Sequence, residues 1–355
     1  MSLSYANLTT RVLQWLQDTG AATYDATETG HAVEDELKRL SQKAPFELDV
    51  IYKVESRYGT VSATSSGNLT DTTKSQFLAA DATNELVVHN ITDDTWGTIS
   101  SFTSSSVLAV NSDIFVSGDS YEIYNKRCKN KRQIYLGELL PYLGILAVEY
   151  PIGVERNFKQ ISRDVIELDV WESTIEDSNS TLSTLRSVDV LVKFAMPQVL
   201  CQLTDLAGEV DLGAGYAAGV TAMHVDGLGA TEVIEPGELF NLENQRTTYI
   251  ITATTTLAAN EGDITFWPGL EAAVVDNDDI TFVKSTLQPN HEDLLTRMVV
   301  SHAVQSDSIR HAKSSLPRMA NYQKWINDNP RQNEQLIQRE LNSLVEKRPS
   351  GRHPR

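Results

Sequence analysis

Seven histidines and two cysteines are the side chains with which this chain could most readily bind a metal or attack a substrate. Their spacing supplies no motif for either. His291 opens His-Glu-Asp-Leu-Leu and lacks the second histidine of a His-Glu-x-x-His helix. His302 and His311 are nine residues apart, which puts them on opposite faces of a helix. Asp276-Asn-Asp-Asp279 lacks the glycine and the distant glutamate of a calcium loop, and a solvated β-turn is the better reading. Gly213-Ala-Gly-Tyr-Ala-Ala-Gly219 nearly matches a dinucleotide fingerprint, but its third glycine comes one place late and a β-rich stretch follows where a helix should. Cys128 and Cys201 have no metal-like spacing and read as reduced thiols. No Gly-x-Ser-x-Gly elbow or phosphate-binding Gly-Lys-Ser/Thr loop occurs. The expectation is a protein that is not an enzyme, with no catalytic, cofactor-binding or metal-binding residues.

Two charged features remain as candidate contacts. Lys126, Arg127, Lys129, Lys131 and Arg132 put five cations in seven residues. They can meet DNA phosphates, an acidic partner surface, or only solvent; no aromatic residue interleaves them, so single-strand stacking is not indicated. Near the C-terminus, Leu336, Ile337, Leu341, Leu344 and Val345 fall on one side of a helix expected from about Glu334 to Glu346. A basic, breaker-rich segment with Arg348, Arg352 and Arg355 follows. One apolar face on an otherwise polar helix fits docking on a neighbouring protein, with docking inside the chain as the alternative.

The net charge of −18 is uneven: residues 201–280 hold 14 acidic residues against Arg246 alone. Such a surface repels phosphates and argues against a sequence-reading DNA binder. It leaves room for a conduit along which DNA slides with only transient, non-specific contact. The apolar runs fall far short of the ~20 residues that span a bilayer, and the first residues lack the pattern of a secretory signal, so no membrane association is expected.

Hydrophobic spacing supplies the elements. Leu8, Val12, Leu13 and Leu16 predict a helix over residues 3–18, and Val33, Leu37 and Leu40 a second over about 28–41. Residues 56–118 are rich in Ser and Thr, 22 of 63, yet carry strand-length apolar runs that make a small β module rather than a linker. Strands are predicted at 165–171 and 188–194, with 195–206 helical. Short strands between 213 and 284 predict a second β module. A helix from about Asn290, capped by that residue, runs to Lys313. The predicted fold is α+β, a discontinuous helical core with two inserted small β-barrel or sandwich modules. Its segments are a helical hairpin (1–52), a first β module (53–125), a mixed α/β segment (126–212), an acidic second β module (213–284), a core helix (285–330) and a docking tail (331–355).

Several stretches resemble structural proteins of tailed bacteriophages. Ser66-Gly-Asn-Leu-Thr-Asp71, Trp96-Gly-Thr-Ile99 and Ser117-Gly-Asp-Ser-Tyr-Glu-Ile-Tyr124 resemble β modules of phage structural proteins. Gly237-Glu-Leu-Phe240, Thr248-Tyr-Ile-Ile-Thr252 and Pro268-Gly-Leu270 resemble β insertions of phage head and tail proteins. Leu8-Thr-Thr-Arg-Val-Leu-Gln-Trp15 is similar to the opening helix of head–tail adaptor, or connector, proteins. The resemblance implies a virion protein assembled in the host cytoplasm. It implies a homo-oligomeric ring, a dodecamer, joining the portal protein to tail proteins and lining the DNA conduit. The alternative is a tail or capsid-surface protein whose β modules bind glycans or another virion protein.

Overall fold

The computed structural model describes residues 4–21, 24–137, 142–172, 175, 189–314 and 334–344. They fall into two compact units: Met1–Glu47, Leu140–Leu143 and Ala195–Arg355 make the first, Leu48–Leu139 and Gly144–Phe194 the second. The described helices are α1 (Tyr5–Trp15), α2 (Ala26–Lys43), the short α3 (Ala80–Thr83), α4 (Pro289–Ser314) and α5 (residues 334–344).

In the first unit, polar caps set the helix starts. The Asn7 amide donates to Ser4 Oγ at 3.2 Å and the Glu28 amide to Asp25 Oδ1 at 2.8 Å, satisfying N–H groups that lack intrahelical acceptors. Asp25 therefore starts α2 two residues before the apolar spacing does. Gln17 turns to φ +55°, ending α1 short of Asp18. Helix α4 begins at Pro289, so Asn290 sits inside its first turn and does not cap it; proline suits that place because its missing N–H would have been unsatisfied. Leu8 and Val12 of α1, Val33 and Leu40 of α2, Leu294, Leu295, Met298 and Val299 of α4, and Ile337 and Leu341 of α5 are buried in one apolar cluster. Each such side chain contributes roughly 1.5–3 kcal/mol on burial.

Residues 197–206, expected to be helical, are an extended stem instead. The strand Asp189–Met196 runs through the supposed helix start, and Pro197 follows with no N–H to give. The stem then pairs with the returning chain: the Cys201 amide donates to Lys284 O at 3.1 Å and the Thr286 amide to Val199 O at 3.1 Å. Beyond it lies a closed six-stranded antiparallel barrel, in the order Ala207–Val210, Ala222–Asp226, Gly262–Trp267, Thr248–Ile251, Leu239–Leu242 and Asp279–Phe282. The barrel thus starts at Ala207, ahead of the expected boundary at 213. Alternation fills it on the strand Ala222–Asp226, with Met223 and Val225 inward and Ala222, His224 and Asp226 outward. Phe240 lies against Tyr249 at 5.3 Å, Phe266 at 5.4 Å and Phe282 at 5.6 Å between ring centres. A Cβ on Gly208 would sit 2.6 Å from Asp226 O, so only glycine lets these two strands close the wall here.

The second unit carries the Ser/Thr-rich stretch as a curled six-stranded antiparallel sheet, a half-barrel. Its order is Tyr58–Thr60, Ser120–Tyr124, Val87–Asn90, Thr95–Ser104, Val107–Val110 and Asn68–Thr70. Its apolar face buries Leu69, Val88, Ile99, Leu108, Tyr121 and Ile123. Arg57, only 3 % exposed, pairs with Glu55 at 2.9 Å and Asp81 at 2.7 Å and donates to Gln76 O at 2.9 Å. A four-stranded sheet (Phe46–Lys53, Asp189–Met196, Gly144–Glu149, Glu155–Arg156) and a three-stranded one (Phe158–Gln160, Val165–Leu168, Gln133–Tyr135) complete it. The strand expected over 165–171 stops at Leu168, because its partner begins at Phe158, opposite Leu168; Trp171 is left 84 % exposed.

Candidate functional site

The basic run forms the turn between the strands Ser120–Tyr124 and Gln133–Tyr135. Buried Cys128 anchors its middle. Three of its five cations are matched within the chain. Lys126 pairs with Glu85 and Arg127 with Asp164, while Arg132 lies 2.9 Å from Glu167 and 3.9 Å from Glu172. The Lys126 hydrogen bond holds the Glu85 carboxyl below its ordinary range; the Ser162 hydroxyl and then Arg127 do the same for Asp164. Lys129 and Lys131 have no acidic partner within 4.0 Å among the described residues. The surface available to phosphate thus narrows from five cations to two, because oppositely charged neighbours in the fold claim the other three.

The expected docking face divides in the same way. Ile337 and Leu341 are buried in the chain's own helical cluster and Leu344 packs against it; Leu336 is 56 % exposed. Arg39 bridges to Glu334, and Arg297 reaches Glu340 at 2.9 Å, so α5 is fixed by charge as well as by apolar burial. Ile337 and Leu341 are therefore spent inside the chain and are not available to a portal. Val345, Arg348, Arg352 and Arg355 lie outside the described residues.

The residues considered for chemistry are occupied structurally. His291 is buried, which pushes its pKa down. His302 Nδ1 lies 2.9 Å from Glu36 Oε1, and the side chain of His311 lies outside the described residues. Burial raises both thiols, Cys128 up to about 12. In the Asp276–Asp279 turn, Asp276 Oδ1 accepts the Leu212 amide at 2.9 Å and Asp278 Oδ2 the Val275 amide at 2.8 Å, so these carboxylates serve the backbone. A cleft lined by Tyr24, Thr29, His31 and His302 holds about 140 Å³, well below the about 300–1,000 Å³ of ligand pockets.

One arrangement has no signature in the sequence. Asp211 just past the end of Ala207–Val210, His224 on Ala222–Asp226 and Glu261 just before Gly262–Trp267 bring one donor atom each within 4.8 Å of one another. Asp263, directly across from His224 in the strand register, sets its Oδ1 2.8 Å from Nδ1. Asp263 foremost, then Glu261 and Asp211, hold the imidazole pKa above its ordinary value. The positions 211, 224 and 261 match no ligand spacing, and the sequence places His224 only within the second β module.

The chain matches no model of a known protein family, and neither a curated protein nor a solved structure matches it. No described helix is long and apolar enough to cross a membrane.

Proposed function

We propose that the protein is a structural virion component, a head–tail adaptor that joins the portal to the tail of a tailed phage. The observation that carries the reading is the resemblance of Leu8–Trp15 to the opening helix of that family and of the β segments to phage head and tail insertions. On this reading the helices make one discontinuous core, into whose sequence the half-barrel and the closed barrel are inserted as modules. The shared burial of Leu8, Val33, Leu295 and Ile337 supports such a core, since it joins helices from both ends of the chain. The acidic barrel and the matched charges of the basic turn support a conduit wall that lets DNA pass without holding it. The oligomer would be a dodecameric ring contacting portal and tail proteins in the virion. Sedimentation and electron microscopy of the purified chain, with and without portal, test this: a ring that binds portal is expected, and a strict monomer in both conditions sinks the reading.

A second reading, glycan binding by the half-barrel, is favoured by one surface feature. The Trp96 ring is 40 % exposed and is held in place by stacking on His89 at 3.9 Å and 9°. Aromatic faces of this kind suit sugar rings. Glycan capture that Trp96→Ala abolishes, without portal binding, would favour it over the adaptor.

A further inference from the structure

We propose that Asp211, His224 and Glu261 form a binding site for a divalent transition-metal ion, zinc foremost, on the outer wall of the barrel. The inference is independent of the adaptor reading. The strand Ala222–Asp226 lies between Ala207–Val210 and Gly262–Trp267, so His224 is flanked on one side by Asp211 and on the other by Glu261 and Asp263. The backbone around it is fixed. The Asp211 amide donates to His224 O at 3.1 Å, and the His224 amide to Tyr216 Oη at 2.7 Å.

The ring geometry shows why a cation fits. With Nδ1–H donated to Asp263 Oδ1 at 2.8 Å, the neutral imidazole presents a bare lone pair at Nε2. That nitrogen faces Asp211 Oδ2 at 3.9 Å and Glu261 Oε2 at 3.8 Å. Both distances exceed a hydrogen bond, and they are nearly equal, as they would be around a central atom. Zinc binds such donors at about 2.0–2.2 Å, which puts neighbouring ligand atoms a little closer together than they stand here. Asp211 and Glu261 are exposed, so small side-chain rotations can close the gap. The carboxylate on the far ring nitrogen is the outer partner that metal-binding histidines commonly have.

The surroundings favour a dication. Residues 201–280 carry Arg246 as their only lysine or arginine against 14 acidic residues. The imidazole ligand selects zinc and similar transition ions over calcium and magnesium, which prefer oxygen alone. Three protein ligands leave a fourth position for water.

Titration of the chelator-stripped, full-length chain with zinc chloride in a calorimeter tests the site. One equivalent is expected to bind in a step that excess magnesium or calcium does not compete away. His224→Ala, and separately Asp211→Asn with Glu261→Gln, should remove that step, and Asp263→Asn should weaken it about 10- to 100-fold. Circular dichroism should show each variant folded, because all four side chains lie on the outside of the barrel. Cobalt substitution should give a visible absorption band that His224→Ala loses. If the wild type takes up no zinc at large excess, the cluster is held by an imidazolium and the proposal fails. It fails equally if both ligand variants bind zinc as the wild type does, because the ion then sits at other histidines.

Discussion

The Thr286 hydroxyl donates to Gln198 Oε1 at 2.7 Å, joining positions 88 apart in sequence. The same hydroxyl accepts the Val199 amide at 2.8 Å, and Gln198 in turn donates its backbone amide to Ser41 Oγ at 2.9 Å and its Nε2 to Ala44 O at 2.7 Å. The two stems of the barrel are thereby bound to each other and to the end of α2. Thr286→Val leaves the Val199 amide and Gln198 Oε1 without partners, at a cost of about 1–3 kcal/mol. Thr286→Ser keeps the hydroxyl and should lose about 1 kcal/mol or less. Urea unfolding checks the pair, and equal losses would mean that the hydroxyl is not the tie.

Arg57 and Asp81, 3 % and 2 % exposed, form a buried ion pair in the half-barrel. Arg57→Met strands the Asp81 carboxylate without its countercharge and should cost about 3–5 kcal/mol. Chemical denaturation reads this directly. A loss below about 1 kcal/mol would show that the pair behaves as an exposed one.

Burial lifts the Glu238 carboxyl to about 7 from its ordinary 4.5. Below the lower value both folded and unfolded chains hold the proton. Between the two values the folded chain alone retains it, so stability falls as pH rises through this window, by about 3 kcal/mol in all. Glu238→Gln should flatten that part of the profile and make the protein more stable than wild type at pH values above about 7. Thermal unfolding of both proteins across the window decides it; parallel profiles would exclude Glu238 as the source.

Leu341, 1 % exposed, holds α5 in the helical cluster. Leu341→Ala should cost about 2–5 kcal/mol through lost burial and the cavity left behind. Exposed Leu336→Ala should cost about 0.5 kcal/mol or less. Amide exchange over residues 334–344 should accelerate in the first variant alone. If both variants exchange as wild type does, the docking contributes little.

Any DNA binding should run through Lys129 and Lys131, whose charges are unmatched among the described residues, and should fall steeply with salt. Replacing both with alanine should shrink the slope of log affinity against log salt by about 2. Replacing Lys126, Arg127 and Arg132 should change it less, since acids of the same chain already neutralise them. Salt-resistant, sequence-specific retention would overturn the conduit reading.

The sequence by itself determined whatever depends on neighbours a few residues apart. Leu8 and Val12 mark one face of a helix, and the short apolar runs between 213 and 284 mark strands, because helical and strand periods are local. The Ser/Thr-rich run read as strands for the same reason. Stretches whose conformation depends on a distant partner were misread. Residues 197–206 carry enough apolar side chains to pass for helix, but their backbone bonds go to distant partners, among them Lys284 and Thr286. Lys126, Arg127 and Arg132 look like free cations until folding brings Glu85, Asp164 and Glu167 beside them. His224 is legible as a residue of the second β module and no more. That it faces Asp211, Glu261 and Asp263 was decided by strand order and register, which only closure of the barrel sets.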